Sequence, residues 1–238
     1  MKKIVFSSIL GLVASAMVSC GGGVSSNVSI KAPIDSAAYA IGFANGHALV
    51  ASLKGFPGDS LDGKLVAAGL YDALVNNPGK MTVESAQQFI QKYVEDMQAQ
   101  IKTRNIEEEK TFLEKNKSEE GIITTESGLQ YKYEVEGQGA KATSPNDTVV
   151  VHYKGTTLDG KQFDSSYDRG EPAVFPLNSV ISGWTEAFQI FPVGSKITMW
   201  LPSSLAYGER DLGEFGPNRL LRFDCELIEV RPFVESKK

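Results

Sequence analysis

From Lys80 to Glu120 the chain contains neither glycine nor proline, while Gly79 and Gly121 bracket the interval. Most of it is therefore expected to be one helix of roughly 50 Å, at ~1.5 Å per residue. A rod of that length divides the chain into a part before it and a part after it. Its two halves differ. Ala86, Phe89, Ile90, Tyr93, Val94, Met97 and Ile101 recur every three or four residues, whereas residues 102–111, KTRNIEEEKT, hold Ile106 as their one apolar side chain. The periodicity predicts that the first half packs and that the second half is a solvated helix face.

Before the rod, no Asp, Glu, Lys or Arg occurs from Ser36 to Leu53. Asn45, His47, Gly42 and Gly46 make this a poor membrane span, and it reads as a helix covered on several sides, with Asp35 or Ser36 capping its start. Tyr39, Phe43, Gly46 and Val50 fall on one stripe, with Ile41 and Ala48 elsewhere. A second helix is expected from about Leu61 to Val75, stopped by the sequence NNPG. Two short helices make a thin core, and a second copy of the chain is the expected remedy, through residues 33–101.

The first residues read as an address. Lys2 and Lys3 precede an uncharged stretch from Ile4 to Ser19, the layout of a secretory signal over residues 1–19. Ser19 before Cys20 resembles a bacterial lipobox, with Met17 where Leu is usual, so Cys20 is a candidate lipidation site. The alternative is an ordinary secretory signal containing a cysteine. Residues 20–32 then form a flexible tether. Glycine rather than aspartate after Cys20 favours, by resemblance to enterobacterial sorting, an outer-membrane anchor facing the periplasm.

After Gly121 the period changes to two. Leu129, Tyr131, Tyr133 and Val135 alternate with polar residues, as do Ile197, Met199 and Leu201; residues 148–153, TVVVHY, and the series Leu221, Phe223, Cys225 and Leu227 are further strands. A short helix fits between Trp184 and Ile190, ended by Pro192. This half is expected to be an antiparallel α+β domain in which Cys225 is a buried, inert thiol and His152 a structural histidine. A net charge of −5 offers nothing to attract nucleic acid. Two cysteines and two histidines supply no zinc constellation and no catalytic triad, so neither metal nor cofactor is expected.

The segment VVVHYKGTTLDGKQFDSSYDRG at 149–170, followed by VISGW at 180–184, PVGSK at 192–196 and LAYGER at 205–210, strongly resembles the FKBP-type peptidyl-prolyl isomerases. Upstream, SAAYAIGFANG at 36–46, AAGLYDAL at 67–74, FLEKNK at 112–117 and SGLQYK at 127–132 resemble the dimerising N-terminal region of the macrophage infectivity potentiators. The resemblance implies an α+β chain: a helical dimerisation domain with its long connecting helix over 33–120, then over 121–238 an antiparallel sheet wrapped on a short helix. It also implies peptidyl-prolyl cis-trans isomerisation, with proline-containing or unfolded polypeptides as clients. The alternative is an envelope holdase with weak isomerase activity.

By the same resemblance Trp184 is the pocket floor, and Tyr153, Phe163, Val180 and Phe223 are its walls. The Ile181 N–H and the Tyr207 hydroxyl are donors to substrate carbonyls, Asp164 is the polar group nearest the reacting bond, and Arg169 holds Asp164 and Tyr153 from behind. The rim departs from the family pattern. Ala173 stands where many members have an aromatic, and the tip reads GEFGPNRLL, placing Phe215 where an aliphatic is usual and Glu214 near the entrance. A fragment beginning near Gly121 is expected to keep its activity on short peptides.

Overall fold

Pro33 opens helix α1 (Pro33–Ser52), at the one turn where a missing N–H is harmless and a fixed φ is already helical. The computed structural model describes residues 28–58, 60–213 and 215–234. Signal, tether start and Cys20 lie outside them, as does Glu214. Asp35 acts from inside the first turn: its Oδ2 accepts from the backbone N–H groups of Lys31 and Ala32 at 3.0 and 2.9 Å. Helix α2 (Gly63–Leu74) follows Asp62, whose carboxylate accepts from the Lys64 N–H at 2.8 Å. It ends before Asn76, which takes a left-handed φ of 53° ahead of Pro78. No residue of either helix is buried, and Phe43 and Leu65 stand 59% and 73% exposed. Among the described residues no helix is long and apolar enough to cross a membrane.

The chain divides into two compact units. One holds the described residues up to His47 and those from 60 to 82; the other holds Ala48–Gly58 and the described residues from Val83 onward. By packing, the long helix α3 (Val83–Asn116) therefore goes with the second unit, where the sequence groups it with the helical domain through residue 120. Its 34 residues span about 50 Å. Near its start Phe56 stacks on Tyr93 at 5.7 Å between ring centroids.

The second unit also holds seven strands: β1 (Ile123–Thr124), β2 (Gln130–Val135), β3 (Thr148–Thr157), β4 (Gln162–Ser165), β5 (Ala173–Pro176), β6 (Lys196–Leu201) and β7 (Leu221–Arg231). All pairings are antiparallel, in the order β1-β2-β6-β7-β3-β4, with β5 paired to the first half of β3. Helix α4 (Ser182–Ile190) lies on one face. Its Trp184, Ala187 and Phe188 close the core with Tyr131, Val151, Tyr153, Ile197, Met199, Leu201, Phe223 and Leu227. Cys225 joins them, and burial pushes its thiol well above the ordinary value. His152, one residue off the core face, bonds through Nδ1 to Ser166 Oγ at 3.0 Å and stacks on Tyr167.

Residues 102–111 of α3 are exposed except at Lys102, Asn105 and Glu109, close to the expected solvated face, yet the second half of the helix docks on one end of the other face of the sheet, where Lys154 and Arg222 stay exposed. Gln130 is only 2% exposed: its Nε2 donates to the Leu113 carbonyl at 2.9 Å, and its Oε1 accepts from Asn116 Nδ2 at 2.8 Å. Phe112 meets Trp200 at 6.2 Å between centroids. Farther up, Glu109 accepts from the Ser203 N–H at 2.7 Å, and Asn105, 1% exposed, is the best-buried residue of the helix. The first half is the wetter one at its start: Tyr93, Val94, Met97 and Ile101 are half-buried, but Phe89 and Ile90 are exposed. The physical reason is that this helix docks through a polar stripe, which an apolar periodicity does not register.

Candidate active site

Strand alternation sets the site. On β3, Tyr153 points to the core face and pairs in register with Cys225 of β7, while Gly155 pairs with Phe223. Gly155 has no alternative: an added Cβ would stand 2.6 Å from the Phe163 ring and 2.9 Å from that of Phe223. Its bare backbone lets both rings lie over the strand. Ile181 is the N-cap of α4 and brings no side-chain cap. Its N–H has no hydrogen-bond partner among the described residues. One turn in, Trp184 is buried against four rings: Tyr153 at 5.0 Å, Phe188 at 5.1 Å, Phe223 at 5.3 Å and Phe175 at 5.6 Å, all edge to face.

These elements enclose a cavity of about 560 Å³. Tyr153, Phe163, Asp164, Val180, Ile181, Trp184, Tyr207 and Phe223 all line it, so the structure brings eight sequence-selected residues together. Arg169 stands behind the wall. Its Nη1 donates to Asp164 Oδ1 at 2.7 Å and its Nη2 to the Tyr153 hydroxyl at 2.8 Å, while that hydroxyl donates to Asp164 Oδ2. Phe215 is a buttress rather than a wall, its ring 5.2 Å from Phe163 and 6.0 Å from Tyr207. The sequence reading missed Phe175, Ser179, Ser182, Ala206 and Arg210, which also line the cavity. Phe175 was detectable: it lies two residues after Ala173 on the same face of β5.

Charge at the site is fixed rather than mobile. Burial alone would raise the Asp164 carboxyl, but the bonds from Tyr153 and Arg169 outweigh it and hold the group below its ordinary value. Burial first, then the bond to Asp164, pushes the Tyr153 phenol up to about 12. Tyr207 is raised by burial and by the Asp164 charge, and its hydroxyl has no partner among the described residues. The cavity thus presents apolar rings, one fixed carboxylate, the Arg210 side chain over the Tyr207 ring, and the unengaged Ile181 N–H and Tyr207 hydroxyl. A larger groove of about 870 Å³ along α3 is lined by charged residues such as Arg104, Glu107, Glu108 and Arg219 together with Phe112 and Leu158, and it lacks the cluster of rings that surrounds Trp184.

The comparisons with known proteins agree with this geometry. Residues 139–228 match the model of the FKBP-type peptidyl-prolyl cis-trans isomerases, and residues 34–133 match the domain amino-terminal to such isomerases. The FKBP-type isomerase FkpA of Aeromonas hydrophila is 42% identical over 82% of this chain and 76% of its own length. The outer membrane protein MIP of Legionella longbeachae is 36% identical over 96% of this chain and 97% of its own. The crystal structure of FkpA from Escherichia coli superimposes with a TM-score of 0.63 at 37% identity, covering 86% of this chain and 99% of that one. The chain belongs to the FKBP-type peptidyl-prolyl cis-trans isomerases that carry the amino-terminal FKBP domain, and it is an isomerase of that class.

Proposed function

We propose that this isomerase assists the folding of exported proteins in the cell envelope, taking X-Pro segments of unfolded clients into the cavity over Trp184. Rotation about an X-Pro bond must give up amide resonance, a barrier of roughly 18–20 kcal/mol. No nucleophile is required. The planar amide is charge-separated and the twisted one is not, so an apolar, water-poor cavity disfavours the ground state relative to the transition state. The observation that carries this reading is the ring-lined cavity itself, whose Trp184 indole would lie under the proline. The Ile181 N–H and the Tyr207 hydroxyl then bond the flanking carbonyls, and Asp164 faces the rotating carbonyl. In an isomer-selective proline-peptide assay, Trp184→Ala should lose most of the activity per folded molecule; wild-type rates in that variant would remove the cavity from consideration.

The exposed stripes of α1 and α2 support a homodimer through residues 33–101, in which a second copy covers side chains such as Phe43 and Leu65. The same exposed surface favours a second reading, a holdase that shields clients irrespective of proline. Suppression of aggregation of a proline-free client by Trp184→Ala would support it. Ser19 and Cys20 support a lipid anchor, with the resemblance to outer membrane protein MIP favouring the outer membrane. Cys20→Ser should release the protein into the soluble envelope fraction or block its processing, and a variant that partitions into membranes and migrates on a gel like wild type would refute the anchor.

A further inference from the structure

Asn105 sits in the most highly charged stretch of α3 and is nevertheless 1% exposed. Its partners all belong to one loop. Nδ2 donates to the Pro217 carbonyl at 2.7 Å and, at 3.5 Å, to the Phe215 carbonyl, while Oδ1 accepts from Arg219 Nη1 at 2.9 Å. One planar amide therefore engages residues 215, 217 and 219 and uses nearly all its bonding capacity. The intervening Gly216 has a φ of 71°, and a Cβ there would stand 2.9 Å from Ile101 Cγ2, one helical turn from Asn105. The loop is seated on the helix as closely as a backbone allows. Glu108 adds an ion pair to Arg219 at 2.7 Å.

The loop so held carries Phe215, whose ring backs Phe163 and Tyr207 on the cavity side. The Asn218 N–H donates to the Gly208 carbonyl at 2.7 Å, tying the same loop to the segment that bears Tyr207. Glu109, one turn beyond Asn105, accepts from Ser203 at the start of that segment. We propose that Asn105 is a positioning residue of the isomerase site: through the 215–219 loop it fixes Phe215 against Phe163 and Tyr207, and so sets which side chain before the proline the cavity accepts. The proposal rests on the reading of the cavity over Trp184 as the substrate site. It makes the second half of α3 part of the enzyme, and it explains why a single amide is buried in a stretch rich in charge. Geometry held loosely at a supporting group is felt at the reacting bond.

The test uses the full-length protein and a series of short Xaa-Pro peptides in which Xaa runs from small to bulky. Loss of folded protein lowers the rate for every peptide by the same factor, so the ratio of kcat/KM between bulky and small Xaa is blind to a merely structural effect. Asn105→Ala should flatten that ratio by about 3- to 10-fold, as should Phe215→Ala, with the double variant no flatter than either single one. Asn105→Asp retains the acceptor for Arg219 but loses the donor to the loop, and should flatten the ratio while keeping more of the stability. An unchanged ratio in Asn105→Ala or Phe215→Ala, or additive effects in the double variant, overturns the proposal. Trp184→Ala separates the two readings: if it isomerises all peptides like wild type, the substrate site is wrong, whereas full loss there with an unmoved ratio in Asn105→Ala refutes the positioning role alone.

Discussion

Tyr153, Asp164 and Arg169 form a closed triangle of bonds at the cavity wall, and none of its corners is a free proton carrier. Asp164 is held below its ordinary value, so it is ionised throughout the neutral range; the contribution of its bonds is present above the usual carboxylate range and disappears only as the pH falls through its lowered folded-state value. Tyr153 and Tyr207 are both raised and stay protonated. Activity on short proline peptides should therefore be nearly flat from pH 6 to 8, and a steep dependence there would reopen His152. Asp164→Ala or Tyr207→Phe should lower kcat/KM by about 3- to 30-fold, on the order of 0.7–2 kcal/mol of transition-state stabilisation. The lining residues were legible from ordered motifs because the motifs carry each side chain at a strand or helix position that fixes where it points. Phe175 and Gly155 escaped because their roles depend on which rings come to lie over them.

Elements were easiest to read where burial is apolar. The strands of the sheet and the short helix α4 follow alternation and helical periodicity closely, and Cys225 falls on the core face as its neighbours require. The second half of α3 defeats that logic, since its buried and half-buried stripe is Asn105, Glu109, Phe112 and Asn116, at steps of three and four but mostly polar. Hydrogen-bond partners for such a stripe sit in loops far along the chain, where periodicity has nothing to say. This changes the expectation for a fragment beginning near Gly121. Removing α3 takes hydrogen bonds from the Gln130 side chain and from Arg219, each worth about 0.5–1.5 kcal/mol net once water takes the helix's place. A fragment from Val83 should therefore melt well above one from Gly121 and isomerise short peptides faster. Equal melting temperatures by circular dichroism would show that the polar stripe contributes nothing.

At the scale of the whole molecule the proposed homodimer rests on the exposed faces of α1 and α2. Phe43→Glu in the full-length protein should yield a monomer by sedimentation at micromolar concentration, with short-peptide activity kept. The same variant should accelerate refolding of a proline-limited client protein less than wild type does, because a client long enough to reach two cavities gains from their linkage and a tetrapeptide does not. A dimeric variant, or equal losses on both substrates, would count against this division of labour. The position of β7 has a consequence in time. It lies between β6 and β3, yet it follows every other strand along the chain. Until Leu221–Arg231 arrives, β3 with its hairpin partners and β6 with its neighbours are separate pieces with raw edges, and the wall contributed by Phe223 is missing. A chain that emerges N-terminus first thus presents its helices early and completes its catalytic cavity last, so the isomerase has no finished site until its final strand is in place.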